Sequence, residues 1–161
     1  MICLCVAGMS FSGCGDDGDD KKDKGAFILS VGAGGGTYYV TKGTVSTSYI
    51  DATSTYEHSI SLTNNSGDVQ FTFKAYTSGA QLATGSYQFS PNTTAHKFVA
   101  TNFSYIDQNQ VSQSYSFKAG VLKVNKVSGS KYDFEFSELT FNIDGTLTMG
   151  GYYDGSLSSS N

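Results

Sequence analysis

The chain has no tryptophan, no arginine, one proline and three cysteines, and those cysteines all stand within its first fourteen residues. Each absence removes a class of explanation. Without arginine there is no planar fork of donors to grip phosphates in pairs, and a net charge of −4 repels a polyanion, so nucleic acid is not an expected partner. With Cys3, Cys5 and Cys14 confined to the N-terminal segment, the remainder can hold neither a disulfide nor a thiolate zinc site. Long apolar runs are missing too. Residues 2–11 form an apolar stretch well short of the roughly 18 to 20 residues that cross a bilayer as a helix. Charged residues make up only 15%, which leaves Ser, Thr, Asn and Gln to carry most of the polarity, as on the hydroxyl-rich outer faces of extracellular β-domains.

What is abundant favours strands. Eleven Tyr and eleven Phe, with many Thr and Val, suit a pleated, half-buried surface, and no stretch reads as a helix of three turns. In Val69-Gln70-Phe71-Thr72-Phe73-Lys74-Ala75 the odd positions are apolar and the even ones polar, a period of two that turns one face inward. Tyr56, His58, Ile60 and Leu62 alternate likewise with Glu57, Ser59, Ser61 and Thr63, and Asn64-Asn65-Ser66-Gly67-Asp68 supplies the turn of a hairpin. A second hairpin joins 119–127 to 132–142 through Ser128-Gly129-Ser130-Lys131. Phe134 and Phe136 share one parity whereas Leu139, Phe141 and Ile143 share the other, so a β-bulge or break is predicted at Ser137-Glu138. Ile143-Asp144-Gly145-Thr146 then turns into a strand over 147–157, and weaker strands read at 26–31, 37–41, 44–50, 85–90, 98–106 and 114–117. Roughly nine to eleven short antiparallel strands predict an all-β domain, a β-sandwich first and a calycin-like β-barrel as the alternative.

Most chemical motifs dissolve on inspection. Gly32-Ala33-Gly34-Gly35-Gly36 lacks the Gly-Lys-Ser/Thr and following helix of a phosphate loop, and reads as a turn between strands. His58 sits on the apolar face of its strand, with Glu57 on the other, and His96 stands alone in a polar run, so no pair has zinc-ligand spacing and neither a metal nor a cofactor is expected. Glu135 and Glu138 are surface carboxylates unless the bulge brings them to one face for glycosidic chemistry. There is no Gly-x-Ser-x-Gly elbow, and the chain reads as a non-enzyme. Recognition falls to tyrosine. Tyr38 with Tyr39, and Tyr152 with Tyr153, are adjacent pairs, and adjacency on a strand drives one ring of each outward, where it can stack on a sugar or pack on a protein.

The N-terminus gives an address. An apolar run, then Phe11-Ser12-Gly13-Cys14, then Gly15-Asp16-Asp17-Gly18-Asp19-Asp20-Lys21-Lys22-Asp23-Lys24, resembles the lipobox and tether of a bacterial lipoprotein. Phe11 stands where Leu is usual, and no basic residue precedes the apolar run. The acidic cluster after the cysteine is similar to the surface-export signal of Bacteroidota lipoproteins. The segments Gly85-Ser86-Tyr87-Gln88-Phe89 and Gly151-Tyr152-Tyr153-Asp154-Gly155-Ser156-Leu157 also resemble segments of small surface lipoproteins of that group. The resemblance implies a signal peptide over 1–13, lipidation of Cys14 with a solvated tether over 14–25, and an all-β domain over 26–161. It further implies attachment to the outer membrane through the lipid, facing outward. The expected role is non-catalytic binding of an extracellular glycan or protein. A structural part in an envelope or fimbria-like assembly is the alternative, and a barrel carrying a small apolar ligand a weaker one.

Overall fold

The structure, a computed structural model, describes residues 24–31, 34–141 and 147–160. The signal, Cys14, residues 15–23 of the expected 14–25 tether and Gly32-Ala33 of the expected glycine turn lie outside the described residues, as does the expected turn at Ile143-Asp144-Gly145-Thr146, whereas Lys24 and Gly25 of that tether stand in a strand. Eleven strands follow in order: β1 (Lys24–Val31), β2 (Gly34–Val40), β3 (Lys42–Ile50), β4 (Thr55–Thr63), β5 (Val69–Thr77), β6 (Gly85–Phe89), β7 (Lys97–Ile106), β8 (Ser112–Tyr115), β9 (Ala119–Ser128), β10 (Lys131–Thr140) and β11 (Leu147–Ser159). The domain is all-β, and no helix occurs among the described residues.

The strands do not divide into the two layers of the favoured sandwich. They form one sheet, ordered β10-β9-β6-β7-β5-β4-β3-β11-β1-β2, and β10 also pairs with β11, so eight strands close into a barrel while β1, β2 and β8 lie beyond the ring. Alternation along a strand assigns its faces but says nothing of how far the sheet curls, which is why the barrel stood only as the alternative. Two irregularities supply curvature. β5 and β7 slip register between Thr72 and Phe73, and β10 slips against both neighbours around Ser137-Glu138, where Glu138 takes φ 56°. Nor is every pair antiparallel. Parallel seams of two and three residues join β6 to β7 (Gln88↔Lys97, Phe89↔Phe98) and β11 to β3 (Leu157↔Gly43 to Ser159↔Val45).

β1 acts as a wedge. One edge of β11 pairs with β10, while the other pairs first with β1 and then, past Asp154, with β3. β2 runs almost straight into β3, with the Thr41 N–H donating to the Thr63 carbonyl at 2.8 Å across the join. At the tip of the wedge the backbones crowd: a Cβ on Gly25 would stand 2.6 Å from the Tyr152 carbonyl oxygen, so only glycine fits. Gly34-Gly35-Gly36, expected in a turn, belong instead to β2 and pair with Val31, Ser30 and Leu29. A side chain on Gly35 would collide with the Leu29 carbonyl, so the lack of one is what lets the strands approach.

Inside the barrel the inward side chains are mostly rings. Phe71 lies 4.9 Å from Phe136, 5.0 Å from Phe27, 5.4 Å from Phe117 and 5.5 Å from Phe73, mostly edge to face, and all five are buried. Buried Tyr87 and Tyr153 keep their hydroxyls bonded, to the Ala83 carbonyl at 2.7 Å and the Ser156 carbonyl at 3.0 Å.

Candidate functional site

Because Phe27 and Leu29 point into the core, Ala26 and Ile28 must point out. Register then selects their neighbours: Ala26 faces Tyr39 of β2 on one side and Tyr152 of β11 on the other. The three residues form one row on the outer face, the rings 65% and 44% exposed, on backbones about 10 Å apart by two strand spacings. Ile28, two places along β1 and 57% exposed, lies opposite Thr37 and Gly150, so the next row is low on both sides of it. The result is a shelf: two aromatic walls, a small floor at Ala26 and an aliphatic side chain beside it. Polar groups bound it along β10, where Glu135 faces Tyr152 and lies 3.7 Å from Lys123, and Lys131 pairs with Asp154 at 3.2 Å.

The other members of the two tyrosine pairs turn inward, as adjacency requires. Tyr153 is a core ring, stacked on Phe134 at 6.2 Å. Tyr38 packs at 4.3 Å from Tyr105 and 5.4 Å from Phe103, and lines a separate cleft of about 430 Å³ between β2 and residues 105–109. The structure thus brings Tyr39 and Tyr152 together and leaves Tyr38 and Tyr153 elsewhere. Sequence reasoning missed Ala26 and Ile28. In Phe27-Ile28-Leu29 every residue is apolar, so parity is hidden, and only the alternation of Tyr38 and Tyr39 across the sheet could have hinted that a matching outward row exists.

The titratable candidates are already occupied. His58 is buried, its Nδ1 2.9 Å from Thr47 Oγ1 and its Nε2 2.8 Å from Thr77 Oγ1. Thr77 donates its own proton to the Gly79 carbonyl at 2.6 Å, so Nε2 donates to Thr77, and in a neutral ring Nδ1 then accepts from Thr47. Burial favours that neutral form and holds the imidazole below its ordinary value. Glu57, on the opposite face, is held by Lys74 at 2.8 Å and by the Ser59 and Tyr76 hydroxyls at 3.2 Å each. Burial pushes its carboxyl up, but these three partners together bring it below the ordinary range. Glu135 and Glu138 are both exposed. No group of three or more His, Cys, Asp or Glu side chains converges among the described residues, and none of their elements is a helix long and apolar enough to cross a membrane.

Compared with family models, with curated proteins and with solved structures, the chain matches none.

Proposed function

We propose that the chain is a lipid-anchored surface protein, held to the outer membrane through Cys14, whose shelf of Tyr39, Ala26, Ile28 and Tyr152 binds an extracellular ligand without catalysis. The observation that carries this reading is the alignment of two half-exposed tyrosines across a single alanine. Large rings left in water on the two strands that flank β1 form an apolar patch of the kind that marks contact surfaces. The ligand is a glycan or a protein, and Ile28 weights the choice toward protein, since an aliphatic side chain offers no face on which a sugar can stack. The anchor supports the reading from the other direction: a tether of Asp, Gly and Lys keeps the domain away from the lipid and leaves its outer face free.

The test is binding by the full chain to a glycan array and, by crosslinking on cells, to neighbouring proteins, repeated with Tyr39→Ala and Tyr152→Ala combined. A ligand lost at least tenfold by the double variant, whose thermal midpoint stays in place, is the expected result. A ligand held equally by both forms would place recognition on another surface.

Assembly through a sheet edge is the second reading, and one observation favours it. β2 ends the strand order, and Gly34-Gly35-Gly36-Thr37-Tyr38-Tyr39-Val40 contains neither the charge nor the proline that usually guards an edge. Oligomers in solution that dissolve when Thr37 is changed to proline would select this reading instead. A cargo-carrying lumen has less support, because the phenylalanine rings occupy the space a cargo would need.

A further inference from the structure

Where β9 turns into β10, the barrel ends in a mouth of about 250 Å³ above the packed rings. Val45, Leu82 and Leu157 supply the aliphatic part of its wall, and Thr47, His58, Gln81 and Lys126 the polar part. Tyr132 forms part of the same wall, lying over Phe134 at 5.8 Å with 12° between planes, while Phe134 in turn lies 6.2 Å from Tyr153. A column of three rings anchored in the core makes that side rigid, so little ordering remains to be done on binding.

Charge at the mouth has one sign. Lys126 is the only ionised side chain on the lining, and its Nζ stands 5.9 Å from the centre of the Tyr132 ring. Lys74, Lys123 and Lys131 each have a carboxylate partner, whereas Lys126 has none among the described residues. His58 borders the cavity but adds neither charge nor a free donor, because both ring nitrogens are bonded to threonines. Exposed Gln81 stands on the same lining and adds an amide to it. A pocket of mixed lining, with aliphatic side chains, one cation and one amide, complements a small anion that carries an apolar body. At a share of about 30 Å³ per water the mouth holds roughly eight waters, enough for a short carboxylate and too little for a long-chain lipid.

We propose that this mouth is a binding site for small carboxylates with an apolar body, the carboxylate on Lys126 and Gln81 and the body against Val45, Leu82 and Leu157. The site is independent of the tyrosine shelf, which lies on the outside of the barrel.

The experiment is a set of separate titrations of the ¹⁵N-labelled full chain with hexanoate, hexan-1-ol and hexylammonium, followed by backbone amide shifts. Hexanoate is expected to move the amides of Gln81, Leu82, Lys126 and Leu157 in a saturable way, hexan-1-ol to bind about fivefold more weakly, and hexylammonium not to saturate. Lys126→Met, which keeps the apolar stem of an exposed residue, should lower hexanoate affinity to that of the alcohol. The Tyr39→Ala, Tyr152→Ala double variant should bind hexanoate like the parent, so that failure here and failure of the shelf are read separately. Hexanoate shifts that are diffuse or unsaturable, an ammonium that binds as well as the carboxylate, or a Lys126→Met chain with unchanged affinity would each overturn the proposal.

Discussion

Replacing Phe71 by alanine tests whether the barrel is filled or hollow. The ring is fully buried and meets four others within 5.5 Å, so its removal leaves a void that those stiff neighbours cannot collapse to fill. Buried Phe→Ala changes cost about 3–5 kcal/mol, a large part of the ~5–15 kcal/mol that holds a domain folded. At roughly 2–4 °C per kcal/mol for a chain of this size, the midpoint should fall by about 6–20 °C. Phe71→Leu keeps most of the volume and should cost about 1.5 kcal/mol or less. Urea unfolding followed by circular dichroism and tyrosine fluorescence reads both, since there is no tryptophan to mask the tyrosines. A double-mutant cycle with Phe136, at 4.9 Å, should return about 0.5–1.5 kcal/mol of coupling. A loss below about 1 kcal/mol for Phe71→Ala would refute the packing argument, because that is the range of a ring with little to lose, and it would revive a carrier with an open lumen.

Three further outcomes follow from particular residues. Gly25→Ala should destabilise by about 2–3 kcal/mol in thermal or urea unfolding, since the added methyl meets the Tyr152 backbone at 2.6 Å and neither strand can move without opening the wedge. Glu138→Gly should stabilise by about 0.5–1 kcal/mol by the same measurement, because φ 56° strains a residue with a Cβ and the side chain is exposed. His58 gives a pH signature. The folded ring resists protonation while the unfolded one titrates near 6.5, so its stabilising contribution is complete above that pH and is lost as pH falls toward and through the lowered folded value. Urea midpoints measured downward from pH 7 should decline in the parent, and the slope should flatten in His58→Asn.

The strands were legible because their chemistry is local. Alternation around Phe71 and Phe73, the Asn-rich turn after Thr63 and the parity change between Phe136 and Leu139 each announce an element or a bulge within a few residues, and all three stand where the sequence placed them. Closure was not legible, because it depends on Gly43 meeting Leu157 and Phe89 meeting Phe98 in parallel, and no local pattern encodes a partner so distant or a seam so short. The triple glycine misled for a related reason: glycine is a turn former when nothing crowds it, yet here it is the strand that crowding requires. Of the shelf, the outward tyrosines were visible as adjacent pairs, but which member of each pair faces out was decided by where Phe27 packs. That is a property of the closed sheet and not of any dipeptide.

The three-residue seam between β11 and β3 also sets a clock for synthesis. Its partners lie more than a hundred residues apart in the chain, and β1, which borders the same strand, is made first of all described elements and finds β11 last. A nascent chain can assemble β3, β4 and β5 as a meander while still on the ribosome, and β7 can cover its β5 side, yet its β3 side and the matching side of β1 must wait until the residues of β11 have emerged. Translation pauses before β11 has emerged would therefore prolong a state with bare strand borders, and the chaperone demand of this domain should fall once β11 is in place.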